Sequence, residues 1–309
     1  MRVLVTGGAG FIGSNLCRRL CATEGVERVL ALDDLSTGFA ANLDGVDVEF
    51  VEGSFLDAPT LRAMSSGVDA IVHLGARPSV PRSVADPVAS HAANATGTIA
   101  VLEAARREGA YVAVASSSSV YGSTPTLPKH EDLPTRPLSP YAASKLATEA
   151  YTNAYAHSYG MATLALRFFN VFGPRQAPGH AYAAVVPAFL HAALQRHPVT
   201  IYGDGTQSRD FTYVDTVTAV ISDAVVRRHA DPEPTNLAFG SRTDLLTLVE
   251  LIEAEVGHAI ERHHEPPRVG DVAHSQADSS RLTAAFPSIE PVPLAEGLAA
   301  TAAWMRDTI

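Results

Sequence analysis

The 309 residues carry a net charge of −10 at pH 7, with 46% hydrophobic and 18% charged side chains. An acidic chain without a basic cluster excludes a nucleic-acid surface, and this length supports one large domain or two closely joined ones. No apolar run approaches the ~20 residues of a membrane span, and Met1-Arg2 leads straight into a strand pattern. A cytoplasmic protein with no leader and no membrane partner is therefore expected. Cys17 and Cys21, four apart in a helical pattern, read as small core residues.

Residues 2–6 form a buried-strand pattern, followed by Gly7-Gly8-Ala9-Gly10-Phe11-Ile12-Gly13 and a helical run over 14–22. Glycines 8, 10 and 13 fit GxGxxG, and glycines 7, 10 and 13 fit GxxGxxG. Strand, glycine turn and helix in that order suit a dinucleotide, because the turn admits the pyrophosphate and the helix N-terminus attracts it. The next strand, 28–32, ends at Asp33, where a carboxylate accepts the adenosine ribose hydroxyls and repels a 2′-phosphate. Asp34 adds negative charge, so NAD is favoured over NADP.

Strand patterns at 48–51, 70–74 and 111–115 alternate with helical patterns at 60–64 and 94–108. This alternation predicts a doubly wound parallel sheet of Rossmann type, whose ligands bind at the carboxyl ends of the strands. Residues 7–13, Asp33, Gly75-Ala76 and 116–121 all fall there. His73 reads as a satisfied buried histidine. The run Ser116-Ser117-Ser118-Ser119 ends a strand, where its hydroxyls can reach a substrate hydroxyl and a phenol.

That phenol is Tyr141. Ser139 is placed to cap a helix that Pro140 opens, and Tyr141 and Lys145 share a face one turn apart. A phenol titrates near pH ~10, and an ammonium one turn away favours the phenolate by direct Coulomb attraction. Beyond a strand at 162–167 the alternation fades. A helix at 183–194, a strand at 200–202, a turn at 203–205, an extended stretch at 209–214, helices at 216–227 and 246–256, and a loop at 266–271 follow. The expected division is a dinucleotide domain over 1–168, with chain returns from the second half, and a smaller mixed α/β substrate domain over 169–309. His263-His264 lacks a companion ligand set, so no metal is assigned.

TGGAGFIG at 6–13, SSSSVYG at 116–122, SPYAASK at 139–145, RFFNVFGPRQ at 167–176, GDGTQSRDFTYV at 203–214 and PRVGD at 267–271 together resemble the extended short-chain dehydrogenase/reductase superfamily. The likeness is to its NAD-dependent nucleotide-sugar 4-epimerases. It implies an isomerase in which Ser117, Tyr141 and Lys145 are catalytic. Gly7, Gly10, Phe11, Ile12, Gly13, Asp33, Asp34, Ser54, Phe55, Leu74, Gly75, Ala76 and Asn94, with Tyr141 and Lys145, would hold NAD. Ser79, Ser117, Ser118, Tyr141, Asn170, Arg209, Arg268, Asp271 and Ser275 would bind a UDP-sugar. The resemblance also implies a homodimer through helices 94–108 and 142–157.

Three departures bear on substrate. Ser54 stands where relatives often carry an Asp for the adenine amine. Ser118 and Ser119 replace the carboxylates of dehydratase and decarboxylase relatives. Ser275, small where some relatives have Tyr, leaves room for an N-acetyl group, and the run through Ala177 and Tyr182 points the same way. Glucose and N-acetylglucosamine (with their galacto epimers) are the expected sugars. UDP-glucuronate is the alternative, since Arg77, Arg82 or Arg175 could meet its carboxylate; a dehydrogenase, a dehydratase and a non-catalytic dinucleotide sensor rank lower.

Overall fold

The computed structural model describes residues 1–178, 184–267 and 273–308, and the chain forms two units. Met1–Thr124, Glu131–Phe168 and Thr218–Thr235 make the first; Pro125–His130, Phe169–Val217 and Asn236–Ile309 make the second.

In the first unit, β1 (Arg2–Thr6), α1 (Phe11–Cys21), β2 (Arg28–Asp33), β3 (Glu49–Glu52), α2 (Ala58–Ser65) and β4 (Ala70–His73) come first. Then follow α3 (Val80–Ala85), α4 (Pro87–His91), α5 (Gly97–Glu108), β5 (Tyr111–Ser117), α6 (Pro140–Tyr159) and β6 (Thr163–Phe168). Parallel pairing joins β3, β2, β1, β4, β5 and β6 in that order. Strand order reverses between β1 and β4, the switch point at which such sheets bind ligands. Near-continuous apolar strands such as 3–5 and 112–115, fully buried, suit a sheet covered on both faces. Leu4, Leu30, Ile71, Leu102 and Val112 form the core between sheet and helices.

Local chemistry sets the helix ends. Asp57 caps α2 by accepting the Thr60 amide at 3.0 Å, and Ser139 caps α6 by accepting that of Ala142 at 3.1 Å. Gly160, left-handed at φ 66°, ends α6. The helix expected over 94–108 begins as a π-turn, Ala92–Thr96, before α5. Phe55 is wedged between two glycines: a Cβ on Gly75 would lie 2.6 Å from its ring and one on Gly97 2.4 Å. Its ring also meets His73 edge-on, centroids 5.2 Å apart.

The second unit contains β7 (Asn170–Phe172), α7 (Val185–Leu194), β8 (Val199–Tyr202), β9 (Ser208–Arg209) and β10 (Phe211–Tyr213). The chain then returns to the first unit, where, after α8 (Val214–Arg227), β11 (Asp231–Leu237) lies beside β6 as the seventh strand of the main sheet. β12 (Thr243–Asp244), α9 (Leu245–Val256), β13 (Arg262–Glu265), α10 (Ser280–Ala285) and α11 (Leu294–Thr308) complete the chain. Strands here pair two by two: β7 with β10, β9 with β12 and β8 with β13.

The α/β class and doubly wound sheet are as expected. Cys21 is not a core residue: Cys17 is buried, but Cys21 lies exposed at the last position of α1, one turn on where the helix face leaves the sheet. The strand β13 was not foreseen because Arg262-His263-His264-Glu265 has no apolar alternation; backbone pairing with β8 makes it. Among the described residues, no helix is long and apolar enough to cross a membrane.

His73 is buried as expected, its Nδ1 hydrogen-bonded to Thr6 Oγ1 at 2.7 Å. Burial first, then the charge of Lys145, pulls its pKa down to about 3. The unfolded chain takes up a proton near pH ~6.5 that the folded chain refuses, so stability falls as pH drops from about 6.5 towards 3. Urea unfolding between pH 7 and 5 is expected to show a shallower decline in His73→Gln than in the parent. One proton sets the upper limit of that difference at about 1.4 kcal/mol per pH unit.

Candidate active site

The first unit places its glycine turn where β1 ends. Gly7 adopts φ +73°, and its amide donates to the Leu32 carbonyl at 2.8 Å. A Cβ on Gly13 would stand 2.0 Å from the Gly7 carbonyl oxygen, so α1 starts flush against the turn only because Gly13 has no side chain. Gly10 caps α1 with no side-chain hydrogen bond, which leaves the helix's first amides and positive dipole end for an anion. Phe11 and Ile12 are half-buried in the first turn.

Asp33, at the end of β2, is buried. Its Oδ2 accepts the Ala9 amide at 3.0 Å and its Oδ1 the Leu35 amide at 2.9 Å. Burial pushes its pKa up, against the pull of these amides, while Asp34 is exposed. Ser54 Oγ accepts the Leu56 amide at 3.2 Å. Leu74, Gly75 and Ala76 follow β4, and the Gly75 amide reaches Thr6 Oγ1 at 3.4 Å. This cradle fits a dinucleotide: a helix N-terminus with no side-chain cap, a turn in which Gly7 and Gly13 leave no room for a Cβ, and a buried carboxylate at the end of β2.

Asn94 is fully buried and committed to structure. Its Oδ1 accepts the Arg77 amide at 2.7 Å, and its Nδ2 donates to Ser144 Oγ at 2.9 Å. It thereby ties residues 76–77 to α6. Ser79, at φ 93°, caps α3 by accepting the Arg82 amide at 3.4 Å.

Beside the cradle, Ser117 Oγ accepts from the Ser119 amide at 3.2 Å and the Ser119 hydroxyl at 2.9 Å. With both lone pairs engaged, its proton is left for another acceptor, and a hydrogen bond with Ser117 lowers the nearby Tyr141 phenol. Ser118 is half-buried in the same single turn, Ser118–Tyr121. The expectation for Tyr141 needs correction. Burial pushes the phenol up, and what lowers it is the Ser117 hydrogen bond. Lys145 instead donates to the Ala115 carbonyl at 2.8 Å and is pulled down to about 8 by burial, so it remains mostly charged at neutral pH.

In the second unit, Asn170 and Arg209 line one cavity of about 430 Å³, with Tyr202, Gln207, Phe189 and Leu245. Arg209 donates to the Ser208 and Ala273 carbonyls at 3.0 and 3.3 Å. The Ser275 amide donates to the Ser208 carbonyl at 3.0 Å, which ties it to the same strand. Apolar walls with a guanidinium and amides suit a nucleotide's base and anionic diphosphate. Arg268, Asp271 and Tyr182 lie outside the described residues.

Sequence reasoning missed two buried groups. Asp210 has its Oδ2 accepting the Ala277 amide at 2.9 Å and its Oδ1 the Ser241 hydroxyl at 3.0 Å, and burial raises it to about 6. It locks the segments flanking Arg209 and Ser275; its place in the motif at 203–214 was the available signal. Glu149 and Arg167 form a buried ion pair beneath the serine turn, for which the signal was Glu149 one turn beyond Lys145.

A reversed parallel sheet with this glycine turn and acid defines a dinucleotide-binding protein of the doubly wound class. The family model described as "NAD dependent epimerase/dehydratase family" matches residues 3–238, and the chain belongs to that family. The expected NAD dependence and enzyme class agree with it. The chain is 40% identical to a UDP-glucose 4-epimerase of Mycolicibacterium smegmatis, over 99% of both chains. Among solved structures, a UDP-N-acetylglucosamine 4-epimerase from Methanobrevibacter ruminantium, in complex with UDP-N-acetylmuramic acid, superposes with a TM-score of 0.93 at 35% identity, covering 100% of this chain and 99% of that one. A Thermus thermophilus UDP-glucose 4-epimerase in complex with NAD gives 0.89 at 36% identity, covering 100% of each.

The glycine turn yields a direct test. Gly13→Ala forces a Cβ into backbone, and such overpacking costs about 1–3 kcal/mol. NAD affinity measured by calorimetry is expected to fall by roughly 5- to 150-fold.

Proposed function

We propose that this chain is an NAD-dependent 4-epimerase of a UDP-hexose, acting on UDP-glucose/galactose, UDP-N-acetylglucosamine/galactosamine or both. What supports the reading is the grouping in one unit of Ser117, which accepts from Ser119, with Lys145, held on the Ala115 carbonyl, and Tyr141, whose phenol a hydrogen bond with Ser117 lowers against burial. Gly7, Gly10 and Gly13 with the α1 N-terminus hold the cofactor's pyrophosphate, and Asp33 with Asp34 its ribose side. Ser54 and Phe55 flank the adenine side, and residues 74–76 the rest. When bound, NAD would supply the redox chemistry, a reversible hydride exchange with sugar C4.

The chain's own residues handle the proton. Tyr141 takes it from the sugar 4-hydroxyl and gives it back after the sugar has turned. Ser117 donates to the phenol oxygen and so favours its deprotonated form against burial. Lys145 adds positive charge one turn away. Ser79 and Ser118 contact the sugar, Asn170, Arg209 and Arg268 anchor the diphosphate, Asp271 the ribose, and Ser275 leaves room at C2. With hydroxyls at 118 and 119, no carboxylate there shuttles protons for water loss. Arg77 is ion-paired to Asp86 at 3.4 Å, which draws its charge away from a uronate. The exposed Tyr151 and Tyr159 on α6 support a homodimer, and the free thiols Cys17 and Cys21 suit a cytoplasmic setting.

Incubation with UDP-glucose, UDP-N-acetylglucosamine and UDP-glucuronate in parallel, followed by NMR, is expected to give the galacto epimers of the first two. A galacturonate as the main product reassigns the substrate, and a 4-keto-6-deoxy sugar from a dTDP- or UDP-hexose overturns the epimerase reading. Tyr141→Phe is expected to lower turnover by about 10²- to 10⁴-fold while calorimetry shows UDP-sugar still bound. Near-native turnover in that variant removes Tyr141 from the role.

A further inference from the structure

We propose that the buried Glu149–Arg167 pair is a positioning device for the proton-transfer residues, setting the register between α6 and the serine turn so that Ser117 meets Tyr141. The proposal rests on Tyr141 as the base. Tyr141, Lys145 and Glu149 stand at successive four-residue steps of α6 and therefore share one face. Glu149 and Arg167 are each 3% exposed. The guanidinium binds the carboxylate in a two-pronged contact, Nε to Oε1 and Nη2 to Oε2, both at 2.9 Å. Glu149 Oε1 also accepts the hydroxyl of Ser116, the residue before Ser117. From its other edge, Arg167 donates through Nη1 to the Tyr121 hydroxyl at 2.9 Å and to the Glu131 carbonyl at 3.2 Å. The pair thus grips both ends of the turn, Ser116 and Tyr121, and ties them to the helix that carries Tyr141.

Stability alone is a poor reason for such a pair. Two ions withdrawn from water rarely outperform apolar residues of similar volume. What a planar fork supplies instead is a fixed distance and angle between the elements it joins. The carboxylate's bonds go to Arg167 and Ser116, so Glu149 acts on Ser117 through one peptide link. An error of about 1 Å in a reacting group can cost 10²-fold in rate, which is the range over which this pair operates.

The test measures kcat and KM against pH for the parent, Ser117→Ala, Glu149→Gln and the double variant, with bound NAD quantified in each. Glu149→Gln is expected to lower kcat by on the order of 10- to 100-fold with KM and NAD content unchanged. The Ser117 bond favours the phenolate, so its loss raises the phenol's pKa. The acid limb of kcat therefore moves to higher pH in Glu149→Gln as in Ser117→Ala. In the Ser117→Ala background the second change should add less than about twofold, as expected of residues acting through one contact. Multiplying losses, or a fall in kcat with the acid limb in place, overturn the proposal. If Glu149→Gln does not fold, Ser116→Ala severs the same link, and an unmoved acid limb there overturns it equally. Native turnover in Tyr141→Phe instead strikes the base assignment itself, which separates the two failures.

Discussion

The approach of Gly13 to the Gly7 carbonyl is the constraint on which the first unit depends. No other residue type tolerates a Cβ position 2.0 Å from a backbone oxygen. Granted that approach, α1 begins in the sheet's own plane of exit and its first amides crowd one point. Asp33 reinforces the arrangement from β2 by accepting the Ala9 amide, so the acid proposed to meet a ribose also braces the turn. Cofactor geometry and strand packing are here the same set of contacts.

Around α6 the protein accepts unusual electrostatic costs. Lys145, Glu149 and Arg167 are all buried, and each charged group has been given a fixed partner. Lys145 has the Ala115 carbonyl, Glu149 and Arg167 have one another, and Tyr141 has Ser117. Burial pushes the Tyr141 phenol away from its charged form and lowers Lys145 toward neutrality. The hydrogen bond from Ser117 opposes the first of these shifts.

Much of this was legible because the informative residues sit close together in the chain. The glycine turn, Asp33 at a strand end, and the Ser139 cap with Tyr141 and Lys145 all lie within single turns or elements, where spacing translates directly into geometry. The Glu149–Arg167–Tyr121 network was not legible, since it exists only when α6, β6 and the serine turn converge. Nor could spacing tell which way the Tyr141 phenol would shift: an i, i+4 lysine is visible in sequence, but its diversion to the Ala115 carbonyl and the depth of the phenol are not. In the second unit, the exposed polar strand β13 and the Asp210 cage depend on pairing between segments about 60 residues apart, beyond the reach of local periodicity.

Phe55 and its two glycines have an evolutionary corollary. A methyl group at either 75 or 97 collides with the ring, while a smaller residue at 55 opens a void against His73 and the core. The three positions must therefore co-vary: a lineage with alanine after the fourth strand has to give up the phenyl group, and grafting one position without the others between homologues disturbs packing far in sequence from the change.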